Sequence, residues 1–150
     1  MAELNWIPKC KFVKNDSKRF ESRFSTVKIN KTNAIMLKDL EYARLGIWVA
    51  HGEGKCEYQD LPDACKAINY IDSEGKNTEE YPMNPNGSKD GITGICSENG
   101  RHLAMMPHPE RCFLKWQAPY ISSRLETKSV YYPWFKIFTN AYDWCKQFKK

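Results

Sequence analysis

The chain has 150 residues, of which 41% are hydrophobic and 27% charged, and its formal net charge is +5. This length suits one domain with a single core, and this composition is typical of a soluble, folded protein rather than a disordered one. No apolar run approaches the roughly 20 residues of a membrane-spanning helix, and residues 1–6 lack the basic and apolar regions of a secretory signal, so we expect a cytoplasmic protein without a membrane partner.

Short strands separated by turns are predicted in the first third of the chain. Residues 10–13 and 20–29 predict strands, and the turn-forming residues 15–17 lie between them. Residues 34–40 predict a short helical turn, and the compact apolar run at 46–50 predicts another strand.

The middle of the chain predicts one short helix and then a hairpin. Residues 61–67 suit a short helix and 68–71 a strand, whereas 72–88 is polar and rich in turn-forming residues. Residues 92–96 and 102–106 predict two strands of a hairpin, because an Asn-Gly pair lies between them.

One long amphipathic helix is predicted at the end of the chain, after an irregular loop over 114–130. It opens at Pro133, and we expect its apolar stripe to pack in the core; the stripe comprises Trp134, Phe135, Ile137, Phe138, Ala141, Tyr142, Trp144 and Cys145. Many strands and one long helix are an unbalanced set for a complete α/β domain, in which strands and helices alternate. The chain therefore looks like the second part of such a domain.

The cysteines and histidines favour reduced thiols and no metal site. Six cysteines lie at irregular spacings without a C-x-x-C pair, at Cys10, Cys56, Cys65, Cys96, Cys112 and Cys145. Without an export signal, free thiols are favoured over disulfides. The three histidines lie too far apart for a zinc-like spacing.

A basic cluster over residues 9–19 raises the alternative of nucleic-acid binding. Trp6, Phe12 and Phe20 flank or interrupt it and are candidates for base stacking. No RNP, KH or zinc-knuckle motif accompanies the cluster, and a second basic group lies only at the tail, 146–150. We expect a solvated surface and no nucleic-acid partner.

The most informative residues are His108 and Glu110, which follow the second hairpin strand. Pro107 and Pro109 flank the histidine. Side chains at i and i+2 of an extended segment point the same way, so Glu110 can steer the imidazole of His108. A general base in nucleophilic catalysis needs an imidazole held by a third group. The pair is therefore a candidate base and orienting carboxylate.

Five segments in order resemble the glutaminase domain of class I (triad-type) glutamine amidotransferases, and more narrowly that of the phosphoribosylformylglycinamidine synthases. They are Asn15-x-Ser17-x-Arg19-Phe20-Glu21-x-Arg23, Ala50-His51-Gly52-Glu53-Gly54, Tyr81-Pro82-x-Asn84-Pro85-Asn86-Gly87-Ser88, Gly91-Ile92-Thr93-Gly94-Ile95 with Met105-Met106-Pro107-His108-Pro109-Glu110-Arg111, and Pro133-Trp134. The resemblance covers about residues 10–150. It implies an α/β fold: a partial, flavodoxin-like domain with a mixed sheet, a hairpin and a long C-terminal helix. Residues 1–150 would form the C-terminal part of one such domain.

The resemblance also implies a reaction, in which a Cys-His-Glu triad hydrolyses glutamine to glutamate and ammonia. His108 would be the general base and Glu110 its orienting carboxylate. The ammonia would pass to a synthetase domain, which uses ATP and Mg²⁺ to amidate formylglycinamide ribonucleotide in purine biosynthesis. The resemblance implies no cofactor and no metal for this chain itself.

Further residues are assigned to the site only by the resemblance. His51, Gly52 and Arg19 would line the glutamine pocket, and Asn86 would lie on the route of the ammonia. An ion pair, either on the surface or structural, is the alternative for Arg19 or Arg23. Turn formation alone is the alternative for residues 84–88.

The nucleophilic cysteine of the family has no counterpart in this sequence. The family holds it in a G-V-C-N-G-C-type elbow before the Asn-x-Ser-x-Arg-Phe segment, and Cys10 lacks the glycines such an elbow needs. The implied partners are therefore glutamine, the missing N-terminal amidotransferase segment and the synthetase domain, and we expect the isolated chain not to hydrolyse glutamine. The alternative is a truncated, non-catalytic interaction module that keeps the fold fragment and binds other chains through an unpaired strand edge or its aromatic tail.

Overall fold

The computed structural model describes residues 1, 3–123 and 128–148. These residues form seven strands and one α-helix, joined by turns and short 3₁₀ helices. The elements are β1 (Cys10–Val13), β2 (Glu21–Ile29), β3 (Arg44–His51), β4 (Lys55–Tyr58), β5 (Lys66–Tyr70), β6 (Ile92–Cys96), β7 (Leu103–Met105) and α1 (Phe135–Lys146).

Five strands make the main sheet, in the order β3-β2-β5-β6-β7, and β1 pairs with β4 in a separate ladder. The predicted class is confirmed: a partial amidotransferase-like domain with a β6–β7 hairpin and a C-terminal helix. Every pairing among the described strands is antiparallel, which is the one difference from the expected mixed sheet. Parallel neighbours need a long crossover, usually a helix, and the described α-helix follows the last strand.

The longest ladder of the sheet joins β2 to β3 and places one end of each strand at the candidate site. Its register runs from Glu21 opposite His51 to Lys28 opposite Arg44. Alternate residues of both strands, such as Val27 and Val49, are fully buried. This period of two fixes which side of the sheet His51 faces.

The main core lies between the sheet and the segments that cover it. Val27, Ile47, Ile68 and Trp134 are completely buried in it. A smaller apolar cluster lies where β4 meets β6, around Cys56, Leu61, Cys65, Ile92 and Ile95.

One predicted element differs from the structure, and one observed strand was not predicted. The helix expected over 61–67 is only a 3₁₀ turn at Asp63–Cys65, because Lys66 and Ala67 already pair in β5. Strand β4 was not predicted, since it is four residues long and has β1 as its pairing partner.

The prediction that the α1 stripe packs in the core is wrong for part of the stripe. Trp134 and Ile137 are buried, but Phe138 is 40% exposed and Tyr142 is 63% exposed. On the buried side of the helix, the Asn140 Nδ2 donates to the backbone carbonyls of Met36 and Lys38. Helical periodicity identifies an amphipathic face without saying what covers it.

The loop predicted over 114–130 contains a 3₁₀ turn at Lys115–Gln117. Its residues 124–127 lie outside the described part of the chain, as do Lys149 and Lys150 of the basic tail. All six cysteines are free thiols. Within the described ranges, no helix has both the length and the apolar character needed to cross a membrane.

Candidate functional site

His108 is attached to the outer edge of β3. Its backbone N–H donates to the Trp48 carbonyl over 2.8 Å, and the two residues form an isolated antiparallel bridge. The chain then turns through the 3₁₀ helix Pro109–Arg111, which brings Glu110 back beside the histidine. Local chain geometry therefore sets this pair.

The imidazole of His108 is held by the carboxylate of Glu110. The distance from Nδ1 to Oε1 is 2.7 Å, with 25% of the histidine side chain and 55% of the glutamate side chain exposed. In the neutral ring, an Nδ1–H that donates to the carboxylate leaves Nε2 as an acceptor. Nε2 is buried and has no hydrogen-bond partner among the described residues. This arrangement suits a general base.

A groove of about 280 Å³ runs beside the pair. Apart from His108 and Glu110, its walls are almost entirely apolar and include Met105, Met106 and Phe138. The pair therefore lies at the boundary between polar and apolar surface.

His51 is the second histidine of the site, at the last position of β3. It is only 8% exposed, and the centroids of its ring and the His108 ring are 6.2 Å apart. Burial, and after it the neighbouring His108, lowers the pKa of His51 to about 4. His51 is therefore neutral at physiological pH.

Buried amides surround the Nδ1 side of His51. The Asn86 Nδ2 lies 3.2 Å from the His51 Nδ1 and donates to the Asn15 Oδ1 over 2.7 Å. The Tyr70 hydroxyl donates to the Asn86 Oδ1 over 2.7 Å, and burial raises the pKa of this phenol, so it stays protonated. These residues come from four separate parts of the chain and close into one network.

Asn15 joins the network to the backbone of the His51–Gly54 segment. Its Nδ2 donates to the carbonyls of His51 and Arg19, over 2.8 and 2.9 Å. Its Oδ1 accepts from the backbone N–H of Gly54 over 3.0 Å. Its own backbone N–H donates to the Gly52 carbonyl over 2.9 Å.

Gly54 must lack a side chain for this arrangement to exist. A Cβ at this position would overlap the His51 ring and the amide nitrogen of Asn86. At Gly52, the nearest atom to an added Cβ is 4.0 Å away, in the Phe20 ring. A side chain therefore does not fit at Gly54, whereas Gly52 has room for one.

The loop that carries Asn86 is shaped by Asn84. The Asn84 Oδ1 accepts from the backbone N–H groups of residues 86–88, and its Nδ2 donates to the carbonyls of Thr78 and Ser88. Asn86 itself is completely buried. Hydrogen bonds from the Asn84 side chain to the backbone thus shape this loop.

The two arginines of the Asn15–Arg23 segment have different settings. Arg19 is exposed and lines a second groove, of about 270 Å³, together with Asp16, Glu79 and Tyr81. The Arg23 guanidinium pairs with Glu21 and lies over the Tyr81 ring. Arg23 therefore has the structural ion pair, whereas Arg19 joins the site through its backbone carbonyl.

Cys112 is the cysteine nearest to His108 in the sequence. Its Sγ donates to the His108 carbonyl over 3.5 Å, and the side chain is completely buried. Burial raises its pKa to about 11. A protonated, buried thiol is a poor nucleophile, so the structure gives Cys112 a packing role.

Sequence reasoning missed two members of the network. Asn15 was named only as the first residue of a turn and of one family-like segment, and Tyr70 only as a residue of a predicted strand. The place of Asn15 at the start of that segment was the available signal. Tyr70 gave none, because its hydroxyl finds its partner through tertiary contacts.

Comparison with known proteins gives a consistent result. The family model described as a CobB/CobQ-like glutamine amidotransferase domain matches residues 1–145. The chain is 45% identical over 163 residues to a probable phosphoribosylformylglycinamidine synthase (chloroplastic/mitochondrial) of Arabidopsis thaliana, and 44% identical over 153 residues to the Drosophila melanogaster synthase. Each alignment covers 96% of this chain but only 12% and 11% of those relatives.

A solved structure shares the fold. PurLQS from Thermotoga maritima matches with a TM-score of 0.65 at 20% identity, over 93% of this chain and 54% of that one. The chain thus spans about half of that solved chain and a small part of the curated relatives. With the family model matching nearly its whole length, the chain belongs to the CobB/CobQ-like glutamine amidotransferase domain family.

Proposed function

We propose that this chain supplies the general base and orienting carboxylate of a glutaminase that feeds ammonia to a phosphoribosylformylglycinamidine synthase. His108 is the base and Glu110 its orienting partner. The observation that carries the proposal is the 2.7 Å contact between the His108 Nδ1 and the Glu110 Oε1, with Nε2 left as a buried acceptor. The family and the named synthase relatives support the reaction class.

In this proposal the nucleophile is a cysteine thiolate from the N-terminal amidotransferase segment. The His108 Nε2 takes the proton of the thiol, and the thiolate attacks the side-chain carbonyl carbon of glutamine. The carbon–nitrogen bond then breaks as His108 gives that proton to the departing ammonia, and water releases glutamate and the free thiol from the thioester. Cys112 is unsuited to the task because its thiol is buried and its pKa is raised to about 11.

The remaining assignments complete the pocket. His51, Gly52 and Arg19 form its glutamine side, and Asn86 belongs to the loop beside the ammonia route. The synthetase domain, with ATP and Mg²⁺, then amidates formylglycinamide ribonucleotide in the cytoplasm. This chain itself contributes no cofactor ligands, and alone it does not hydrolyse glutamine.

Complementation tests the roles. Purified chain is mixed with a separately expressed amidotransferase segment that carries the cysteine elbow and with the synthetase, and glutamine-dependent synthesis is measured. The unmodified chain should restore synthesis. His108→Ala should reduce it by at least about 10³-fold, since triad members act as a unit, and Glu110→Ala should weaken it less.

Two controls make the result specific. His102→Ala changes a histidine that stacks on Trp6, away from the pair, and should leave synthesis intact. Synthesis from added ammonia should survive every variant, because only the glutamine step uses the pair. Equal rescue by all variants would contradict the assigned roles, and so would glutamate release by the isolated chain that is lost in His108→Ala.

A further inference from the structure

The hydrogen bonds around His51 determine which of its nitrogens carries a proton. The backbone groups that contact Asn15 have unambiguous roles as donor or acceptor. The backbone N–H of Gly54 can only donate, so the Asn15 atom that it meets is the carbonyl oxygen Oδ1. The other amide atom of Asn15 meets two backbone carbonyls, which can only accept, and is therefore the NH₂ group.

The orientation of Asn15 fixes that of Asn86. The Asn15 Oδ1 accepts, so the Asn86 atom 2.7 Å away is a donor, its Nδ2. The Tyr70 hydroxyl on the opposite atom completes the assignment, because a protonated phenol donates to Oδ1. One N–H of the Asn86 amide thus points to Asn15 and the other faces the His51 Nδ1 at 3.2 Å.

An N–H group facing Nδ1 requires a lone pair there. The neutral His51 ring therefore carries its proton on Nε2. That Nε2–H is buried and has no partner among the described residues. His51 as a whole is only 8% exposed.

The His108 ring presents the complementary atom. Its Nδ1–H is directed to Glu110, and its Nε2 is a buried acceptor that likewise has no partner in the described part of the chain. The ring centroids are 6.2 Å apart. One bridging atom with two hydrogen bonds of about 3 Å suits this separation better than a direct bond.

We propose that His51 and His108 form a two-point site for one small protic molecule, with the His51 Nε2–H donating and the His108 Nε2 accepting. This molecule is the water that hydrolyses the thioester, an assignment that rests on the proposed glutaminase function. Its oxygen bonds to the acyl carbon while the His108 Nε2 takes its proton. The carbon–sulfur bond then breaks, glutamate leaves, and the proton returns to the thiolate. His51 orients the attacking oxygen and never changes charge.

The tautomer is tested first, without any activity. Long-range ¹H–¹⁵N spectra of the ¹⁵N-labelled chain report the protonation of each imidazole nitrogen, with His51→Gln used to assign the signals. His51 should show a bare Nδ1 and a protonated Nε2 from about pH 8 down to about pH 5. A protonated Nδ1, or titration of His51 within that range, would overturn the proposal. This result needs only the unmodified chain.

Two variants separate the Asn86 donor from the rest of the network. Asn86→Ala removes the N–H that faces Nδ1, and His51 should become a mixture of tautomers. Tyr70→Phe removes only the partner of the Asn86 Oδ1, and its His51 spectrum should match that of the unmodified chain. Loss of the fixed tautomer in both variants would contradict the role of Asn86.

The bridging water is tested by looking for the thioester. In the complemented enzyme, His51→Leu should slow hydrolysis of the thioester, so that glutamyl-enzyme accumulates on the elbow segment and is seen by intact mass after acid quenching with glutamine present. The expected loss is at least about tenfold in kcat, with KM falling in parallel and kcat/KM nearly unchanged, because only the second step of the reaction is slowed. His51→Gln, which retains an N–H donor, should recover part of it.

The outcomes are distinguishable. A raised KM with unchanged kcat would leave His51 with a role in glutamine binding alone and overturn the two-point site. A lower kcat without accumulated thioester would place it in the first half of the reaction and also overturn it. Failure of the proposed function would show separately, as glutamine-dependent synthesis that survives His108→Ala.

Discussion

Two histidines lie 6.2 Å apart in this domain and have opposite surroundings. His51 is enclosed by amides that present an N–H to its ring, whereas His108 is partly exposed and meets a carboxylate. Burial before all else keeps His51 neutral, and the N–H facing its Nδ1 leaves the proton on Nε2, whereas a carboxylate favours an N–H at the nitrogen that it meets. Burial and one polar neighbour together therefore decide what each ring can do.

The same contrast divides stability from chemistry. The enclosed side consists of buried polar groups that all depend on one another, and removing one leaves others without partners. The exposed side consists of one surface-accessible pair. The following predictions test this division, from the largest expected effect to the smallest.

Asn15→Leu should be the most destabilising change, lowering the free energy of unfolding by about 3 kcal/mol or more, because it leaves the Gly54 N–H and the His51 carbonyl buried without partners. Urea unfolding followed by tryptophan fluorescence measures this. Asn33→Leu is the matched control, since it removes an exposed bond to the Glu98 carbonyl and should cost less than about 1 kcal/mol. Similar losses in the two variants would break the comparison.

The stability of the domain should fall on acidification because of His51. Its pKa is about 4 in the folded state against 6.5 for the free group, so on acidification the unfolded chain takes up a proton at a higher pH than the folded chain does. The contribution of His51 to the free energy of unfolding is therefore complete above pH 6.5. It is lost as the pH falls towards 4, to a limit of about 3 kcal/mol. The test is the difference in unfolding free energy between the unmodified chain and His51→Gln across this range. A constant difference would show that His51 titrates normally.

Gly54→Ala should lower the free energy of unfolding by about 1–3 kcal/mol, because the new methyl group overlaps the His51 ring and the Asn86 amide. Gly52→Ala, two residues earlier, should change stability by less than about 0.5 kcal/mol, since its methyl group meets only the Phe20 ring at 4.0 Å. Thermal unfolding of the two variants side by side decides this. Equal shifts would show that the His51 ring lies elsewhere.

Glu110→Gln should have the smallest effect on folding, below about 1 kcal/mol, because the pair with His108 is partly exposed. Glutamine-dependent synthesis in the complemented enzyme should nevertheless fall, since an amide holds the imidazole less firmly than a carboxylate. A large loss of stability in this variant would show that the exposed side also supports the fold.

The sequence was most informative where the relevant geometry is local. The contact between His108 and Glu110 was expected from two residues two positions apart, although a 3₁₀ turn and not the expected extended segment brings them together. The β6–β7 hairpin follows from the Asn-Gly turn. The contact between His51 and Asn86 spans 35 residues and depends on how the loop around Asn84 closes, so no local pattern could predict it.

Periodicity was least reliable for the surroundings of an element. The α1 stripe was correctly placed on a helix, but Tyr142 and Phe138 are exposed because the described segments cover only part of its apolar face. The resemblance to the family supplied the order of the segments along the chain. Their hydrogen bonds required the folded arrangement.

The position of Asn86 directly before Gly87 has a consequence for the chemical durability of the protein. An asparagine before a glycine loses its side-chain nitrogen when the glycine backbone nitrogen attacks the side-chain carbon. Here the Gly87 N–H is held by the Asn84 Oδ1, and both ends of the completely buried Asn86 amide are hydrogen-bonded. The folded network should therefore protect a bond that unfolding exposes, so a mass gain of one unit at this residue should arise faster in urea than in the folded chain.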